Sequence, residues 1–489
     1  MFELTVWKNK RAHKIPFENA TLLDAILERA GFSLPHPCGG HGNCGKCAVE
    51  VIGAVSEPNE LEERIGKRLS CQTIVLGDAT VVLPDDGLSM TIETETGTQT
   101  APLSPMPGKY GAAVDIGTTT IAVKLFDLAT GVCVGTAAAL NPQTAEAADV
   151  MGRIEAAMNG KLSVLQAQVT DCITALLQEA GKACGMPDSL VITGNTTMLY
   201  LLTGKDPESL SHAPFLAETL FDVETEFAGR TAYLPPCMNA FVGADITCAV
   251  LASGMCGSAD VALLCDIGTN GEIALWKDGV LYVTSTAAGP AFEGAGISCG
   301  CGSVTGAIDK VWLENGKLSV HTIGNAAPAG ICGSGLLDAI AAGLESGQID
   351  ETGVLEEDEF SLGEGVSLQQ KDIRAVQLAK AAIAAGIDTL LETAGISAEE
   401  IKTLYITGGF GSHLNVASAI KIGLLPEEIE KRTVVLGNAA LAGAAAVLLD
   451  QHAKGELSRI AGLSQHVNLG GNPAFNEKYV SNMFFGEGL

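Results

Sequence analysis

Apolar and polar residues alternate over Phe2 to Trp7 and again over Arg11 to Pro16, a period of two that predicts a strand hairpin. After Asn19 the spacing turns helical from Thr21 to Ala30. It returns to strands at Cys47 to Ile52, Leu69 to Val75 and Ala79 to Leu83. The pattern then lapses. Glu93 to Tyr110, ETETGTQTAPLSPMPGKY, has three prolines and no periodicity, which predicts an exposed tether. Its 18 residues span at most about 60 Å when fully extended. Beyond it, Gly111 to Asp127 reads as a strand, a tight DIGTTT turn and a second strand, and Val261 to Trp276 repeats that grammar around DIGTNGE. Such repetition predicts an internally duplicated fold. Leu404 to Ser412, LYITGGFGS, predicts a buried strand running into a glycine turn, and Val191 to Leu201 repeats the strand–glycine–polar turn–helix theme. The Gly- and Ala-rich run Thr433 to Leu449 predicts a buried helix, not a membrane span. These signals divide the chain into residues 1–92, a tether at 93–110 and a large body at 111–489, with lobes at roughly 111–260 and 261–489.

Composition narrows the class. The 489 residues carry 57 Asp and Glu against 29 Lys and Arg, a net charge of −28 that disfavours nucleic acid and anionic membrane surfaces. A hydrophobic fraction of 47% is ample for large cores. The N-terminus has charges where a signal peptide needs an apolar stretch, so a soluble, cytoplasmic protein is expected. In that compartment clustered cysteines point to metal or redox chemistry rather than disulfides.

Three of the 14 cysteines fall in PHPCGGHGNCGKC, spaced C-x5-C-x2-C, and a fourth follows after 23 intervening residues in RLSCQT. Three thiolates from one glycine-rich loop and one distant thiolate can surround a small iron–sulfur cluster. A zinc site is the alternative, although Cys71 lacks the paired neighbour of a zinc knuckle. His36 and His41 read as loop residues. The segment resembles [2Fe–2S] ferredoxin domains, which implies a β-grasp fold with Cys38, Cys44, Cys47 and Cys71 as ligands. The remaining ten cysteines read as buried apolar residues. Cys299 and Cys301, with Cys332, are the exception to watch, as a thiolate group or a redox pair.

Each DIGT turn sets backbone N–H groups and threonine hydroxyls beside one carboxylate, Asp115 or Asp266, which suits phosphate oxygens and Mg2+. Together with TGGFG these turns resemble the acetate and sugar kinase, Hsp70 and actin superfamily. The resemblance implies two RNase H-like lobes closing over ATP, the chain as a whole being an α/β and α+β multidomain protein. Gly117, Thr118, Thr119 and Thr120 match the first phosphate loop, and Gly268, Thr269, Asn270 and Gly271 the second. Gly408, Gly409 and Gly411 match the adenosine motif, and Asn438 to Leu449 the second connecting helix. Asp245, in VGAD, is expected either to orient water or to cap its helix. Gly333 and Ser334 sit at an expected helix start where an anion can bind, and Asn270 and Glu272 are within reach of metal or water.

The whole layout resembles the reductive activators of corrinoid enzymes (RACE proteins), down to the terminal FNEKYVSNMFFG. That implies ATP-dependent return of cob(II)alamin to cob(I)alamin in a corrinoid protein of a methyltransferase or O-demethylase system. The [2Fe–2S] cluster would carry an electron from an upstream ferredoxin or flavoprotein, and Asp115, Asp266 and the glycine turns would handle Mg-ATP. Homodimerisation is compatible with the resemblance. Members of this layout can carry an additional middle domain, whereas here only the tether is expected between cluster and body. Two other readings stand beside this one: an ATP-driven reductase of another low-potential acceptor, and a small-molecule kinase with a fused redox sensor.

Overall fold

The computed structural model describes residues 2–8, 11–32, 34, 42, 47–83, 100–363, 365–411 and 414–486. Cys38, Cys44, His36 and His41 lie outside the described residues, as does the first part of the tether.

The N-terminal sheet runs Arg11–Phe17, Phe2–Lys8, Ile74–Val82, Ala48–Val55, Arg68–Leu69, with Thr21–Leu22 also pairing to Ile74–Val82. Phe2–Lys8 lies parallel to Ile74–Val82, and helix Leu23–Arg29 covers one face through Leu23, Ile26 and Leu27. Leu4, Val6, Val49, Val75 and Val81 fill the space beneath it. The expected hairpin and helix are present. The expected strands at Leu69–Val75 and Ala79–Leu83 are replaced by one continuous strand, Ile74–Val82, because residues 70–73 turn to carry Cys71 inward.

The expected exposed tether is corrected at its C-terminal end. Met106 is buried, and the backbone N–H groups of Leu103 and Met106 donate to the carbonyls of Leu449 and Leu448. Residues 100–110 are therefore strapped to the body, where burying an apolar side chain outweighs the freedom of an open linker.

Two six-stranded sheets form the body. The first has the order Val223–Phe227, Arg230–Leu234, Ser189–Gly194, Tyr110–Ile116, Thr120–Asp127, Cys133–Leu140. The second runs Thr433–Val435, Thr403–Thr407, Ala262–Ile267, Gly271–Lys277, Val280–Thr286, Ser464–His466. Each is an antiparallel three-strand meander flanked by a parallel strand on its first member, so the duplication is a property of the fold. It extends further than the DIGT turns. Ile192-Thr193-Gly194 and Ile406-Thr407-Gly408 occupy equivalent strand ends, with Thr193 opposite Asp115 and Thr407 opposite Asp266.

Two helices cross between the sheets. Ala244–Ser253 packs on the second sheet through Ile246 and Val250, and Ala439–Leu449 packs on the first through Ala444 and Leu448. They touch at Gly443, where a Cβ would lie 2.0 Å from the Cys248 carbonyl oxygen, so only glycine permits this approach. The run Thr433–Leu449 is helical only from Ala439; its first three residues form an edge strand.

Candidate functional site

The N-terminal domain brings two of its four predicted ligands together. The Cys47 and Cys71 thiols are buried and 3.3 Å apart, in a reduced pair. Two thiolates bonded to one tetrahedral metal at about 2.3 Å are separated by nearly 4 Å, so the sulfurs would part by about half an ångström to share a metal. Glu62 fixes the turn that presents Cys71. Its carboxylate accepts from the Leu69 N–H at 2.7 Å and the Thr73 hydroxyl at 3.0 Å. Burial pushes the Glu62 carboxyl up, but these bonds and Arg68 hold it below the usual range on balance. Gly42 is left-handed, and a Cβ there would lie 2.6 Å from the Gln72 side chain, so Gly42 lies directly against the residue after Cys71.

In the body, the DIGT turns of both lobes face one cleft of about 690 Å³. Asp115, Gly117, Thr118, Thr119 and Thr120 line it from the first lobe, and Asp266, Gly268, Thr269 and Asn270 from the second. Asp245, Glu272, Gly333, Ser334, Gly408 and Gly409 complete the sequence-predicted set there. Gly271 and Gly411 do not line it. A Cβ on Gly271 would meet Ile383 and Thr286 at 2.7 Å, and one on Gly411 would meet Ile406 at 2.8 Å, so both are packing glycines. Gly408 (φ +96°) serves close approach: a Cβ would lie 2.4 Å from an Asp266 carboxylate oxygen.

Gly333 and Ser334 do begin a helix, Gly333–Ser346, with its N-terminal N–H groups towards the cleft. The N-cap of helix Ala244–Ser253 is Gly243; Asp245 sits in the first turn, so the capping expectation is corrected. Cys301 and Cys332 also line the cleft.

Carboxylates dominate the cleft. Burial raises Asp115 to about 6, against a hydrogen bond from Asn438 at 2.8 Å. Burial raises Asp266 to about 7, assisted by the charges of Asp115 and Glu293, and raises Asp245 to about 8, assisted by Asp266 and Asp115. Glu272 is pushed up by burial and by Asp245 and Asp266. So many acids raising one another mark a site that a divalent cation would relieve. Among the described residues no three His, Cys, Asp or Glu side chains are grouped to hold a metal directly.

Sequence reasoning missed three supports of the first turn and one residue shared by both. Arg153, fully buried, donates to the Thr118 carbonyl at 2.5 Å, the Ala147 carbonyl at 3.1 Å and Gln143 at 3.2 Å. Burial lowers its guanidinium to about 10, still charged at neutral pH. Asn141 donates to the Gly117 carbonyl at 2.9 Å, and Asn195 to the Thr118 hydroxyl at 3.3 Å. Glu293 accepts from Thr119 at 2.5 Å and from Thr269 at 2.7 Å, joining the two turns across the lobes. Only its position in the glycine-rich stretch GPAFEGAG hinted at this.

Comparison with known proteins matches three families. Residues 8–76 match the 2Fe-2S iron-sulfur cluster binding domain, residues 110–258 the RACo middle region, and residues 260–488 the C-terminal domain of RACo, the ASKHA domain. The middle-region match coincides with the first lobe, so the chain does not lack that region; it forms part of the body that follows the tether. The chain is 35% identical over 425 residues to the corrinoid activation enzyme RamQ of Eubacterium limosum, covering 78% of this chain and 71% of that protein. It is 24% identical over 418 residues to a [Co(II) methylated amine-specific corrinoid protein] reductase of Methanosarcina barkeri, covering 77% of each. A solved reductive activator for corrinoid, iron-sulfur protein superposes with a TM-score of 0.70 at 27% identity, covering 99% of this chain and 98% of that one. No helix among the described residues is long and apolar enough to cross a membrane.

Proposed function

The chain belongs to the family of reductive activators of corrinoid proteins, and from that premise we propose that it couples ATP hydrolysis to delivery of one low-potential electron to the cob(II)alamin of a partner corrinoid protein, restoring cob(I)alamin. The observation that carries this reading is the cleft. Two duplicated phosphate turns, one from each lobe, face a common space beside a helix N-terminus, in the same chain as a buried thiol pair.

The residues suit the task. Cys47 and Cys71, with Cys38 and Cys44, would hold a [2Fe–2S] cluster, which supplies one-electron transfer when bound. Plant-type centres sit near −400 mV. Every further ~59 mV uphill costs about 1.4 kcal/mol per electron, so a still lower acceptor needs an energy source. Backbone N–H groups of the DIGT turns and the Thr118, Thr119 and Thr269 hydroxyls would bind phosphate. Asp115, Asp245, Asp266 and Glu272 would orient a hydrated Mg2+ and the attacking water. Asn438 begins the crossing helix Ala439–Leu449 and donates to Asp115 of the first lobe, so rearrangement at the phosphate turns acts directly on the element joining the lobes. Such a hinge lets nucleotide state shift the population of electron-delivering conformations.

The partner would be the corrinoid protein of a methyltransferase or O-demethylase system, with a ferredoxin or flavoprotein upstream, in the cytoplasm. The test mixes the reduced, cluster-loaded protein with a cob(II)alamin-loaded corrinoid protein and follows the visible spectrum. The cob(I)alamin band is expected with Mg-ATP and not without it; equal appearance in both overturns the proposal.

A further inference from the structure

Glu293 lies outside the motifs that mark the cleft, yet its carboxylate joins both halves. One oxygen accepts from the Thr119 hydroxyl of the first lobe at 2.5 Å and the other from the Thr269 hydroxyl of the second at 2.7 Å. These hydroxyls belong to the two DIGT turns, and all three residues line the cleft. The short helical turn Pro290–Glu293 that carries the carboxylate ends at Gly294 (φ +76°), where a Cβ would lie 2.5 Å from the Cys301 carbonyl oxygen, so the segment is pressed against its neighbour. Its charge bears on Asp266, which it repels, and on the Arg153 guanidinium, which it attracts. What holds Glu293 in place is a pair of charge-assisted hydrogen bonds from opposite lobes. Two donors that converge on one anion from both sides of a cleft are also what a nucleotide phosphate requires.

We propose that Glu293 is a positioning residue that stands where a nucleotide phosphate binds: it bridges the lobes when no nucleotide is bound and yields Thr119 and Thr269 when the phosphate enters. The inference rests on the nucleotide reading of this cleft. It makes ATP binding an exchange of one anion for another on the same two hydroxyls. Affinity is then lower than the turns alone would give, and loss of nucleotide restores the bridge.

The experiment measures binding of a fluorescent ATP analogue with Mg2+, and the steady-state constants for ATP, on the full cluster-containing protein. Glu293→Gln keeps size and one acceptor but removes the charge; Glu293→Ala removes both. Each is expected to bind at least ~10-fold tighter, with KM for ATP falling and kcat changing less. In a Thr119→Val/Thr269→Val background the gain from Glu293→Ala is expected to vanish. Weaker binding by both Glu293 variants, or a raised Mg2+ requirement, would overturn the proposal by assigning Glu293 a structural or cation-holding role. A gain that survives in the double-valine background would overturn it as well. If the unmutated protein binds no Mg-ATP, the nucleotide reading itself fails. Unchanged affinity in the variants of a protein that does bind would sink the Glu293 proposal alone.

Discussion

The two DIGT turns share four residues and one strand–turn–strand frame, but the protein surrounds them with different charge. Behind the first stands the buried Arg153, bonded to the Thr118 carbonyl, with Asn141 on the Gly117 carbonyl and Asn438 on Asp115. Opposite Asp266 of the second stands Glu272, whereas Glu293 bonds both turns and the charge of Asp266 helps raise Asp245. The repeated motif sets the backbone turn. If the cleft binds Mg-nucleotide as proposed, residues that arrive from elsewhere in the fold decide how each turn serves it. The first turn has a buried cation behind it; the second has a further carboxylate, Glu272, opposite its own aspartate.

The largest effect expected from this asymmetry is on turnover. Asp266→Ala should lower ATP hydrolysis by ~100-fold or more, measured by phosphate release, with the cluster's visible spectrum unchanged. Retained hydrolysis would remove Asp266 from the cation side and erase the contrast. Next comes Arg153→Met, which leaves the Thr118 and Ala147 carbonyls without their buried donor. A loss of about 3 kcal/mol is expected in denaturant unfolding of the body, with weakened nucleotide binding. Full stability would show that the first turn needs no cation behind it.

A third prediction concerns pH. Asp115, Asp266 and Asp245 sit at about 6, 7 and 8 in the folded protein, above the ~3.9 of an unfolded aspartate. The native state therefore binds more protons than the unfolded state between about pH 4 and pH 8, and stability should fall as pH rises through that window. Asp245→Asn should flatten the upper part of the fall, and Mg-ATP should reduce it throughout. Chemical denaturation in chelator at several pH values checks this; an unaltered slope in Asp245→Asn would take that residue out of the acidic group. The smallest effect is expected from Asn438→Ala, which removes the N-cap of helix Ala439–Leu449 and the bond to Asp115. About 1 kcal/mol of stability should be lost, with hydrolysis reduced only a few-fold.

What was legible in the sequence was local. A DIGT turn between two apolar strands depends on its own glycine and threonine, and the cysteine spacing marked the segment that matches the 2Fe-2S domain. The helix start at Gly333 and the crossing helix at Asn438 were readable for the same reason. Arg153, Asn141 and Glu293 were not, because each acts on a turn remote in sequence: Glu293 meets Thr119 across 174 positions. Gly271 and Gly411 misled in the opposite way. They stand inside binding motifs but are glycine because Ile383, Thr286 and Ile406 crowd them. Residues 100–110 looked like open tether because a buried methionine and scattered backbone bonds to the body leave no periodic trace.

The central claim is that turnover in this cleft drives the electron step. It is tested most directly by running unmutated protein and Asp266→Ala, equally loaded with cluster and equally reduced, in the cob(II)alamin assay with Mg-ATP. The account predicts that Asp266→Ala forms cob(I)alamin no faster than unmutated protein without ATP. Full ATP-stimulated reduction by a variant that no longer hydrolyses ATP would contradict it.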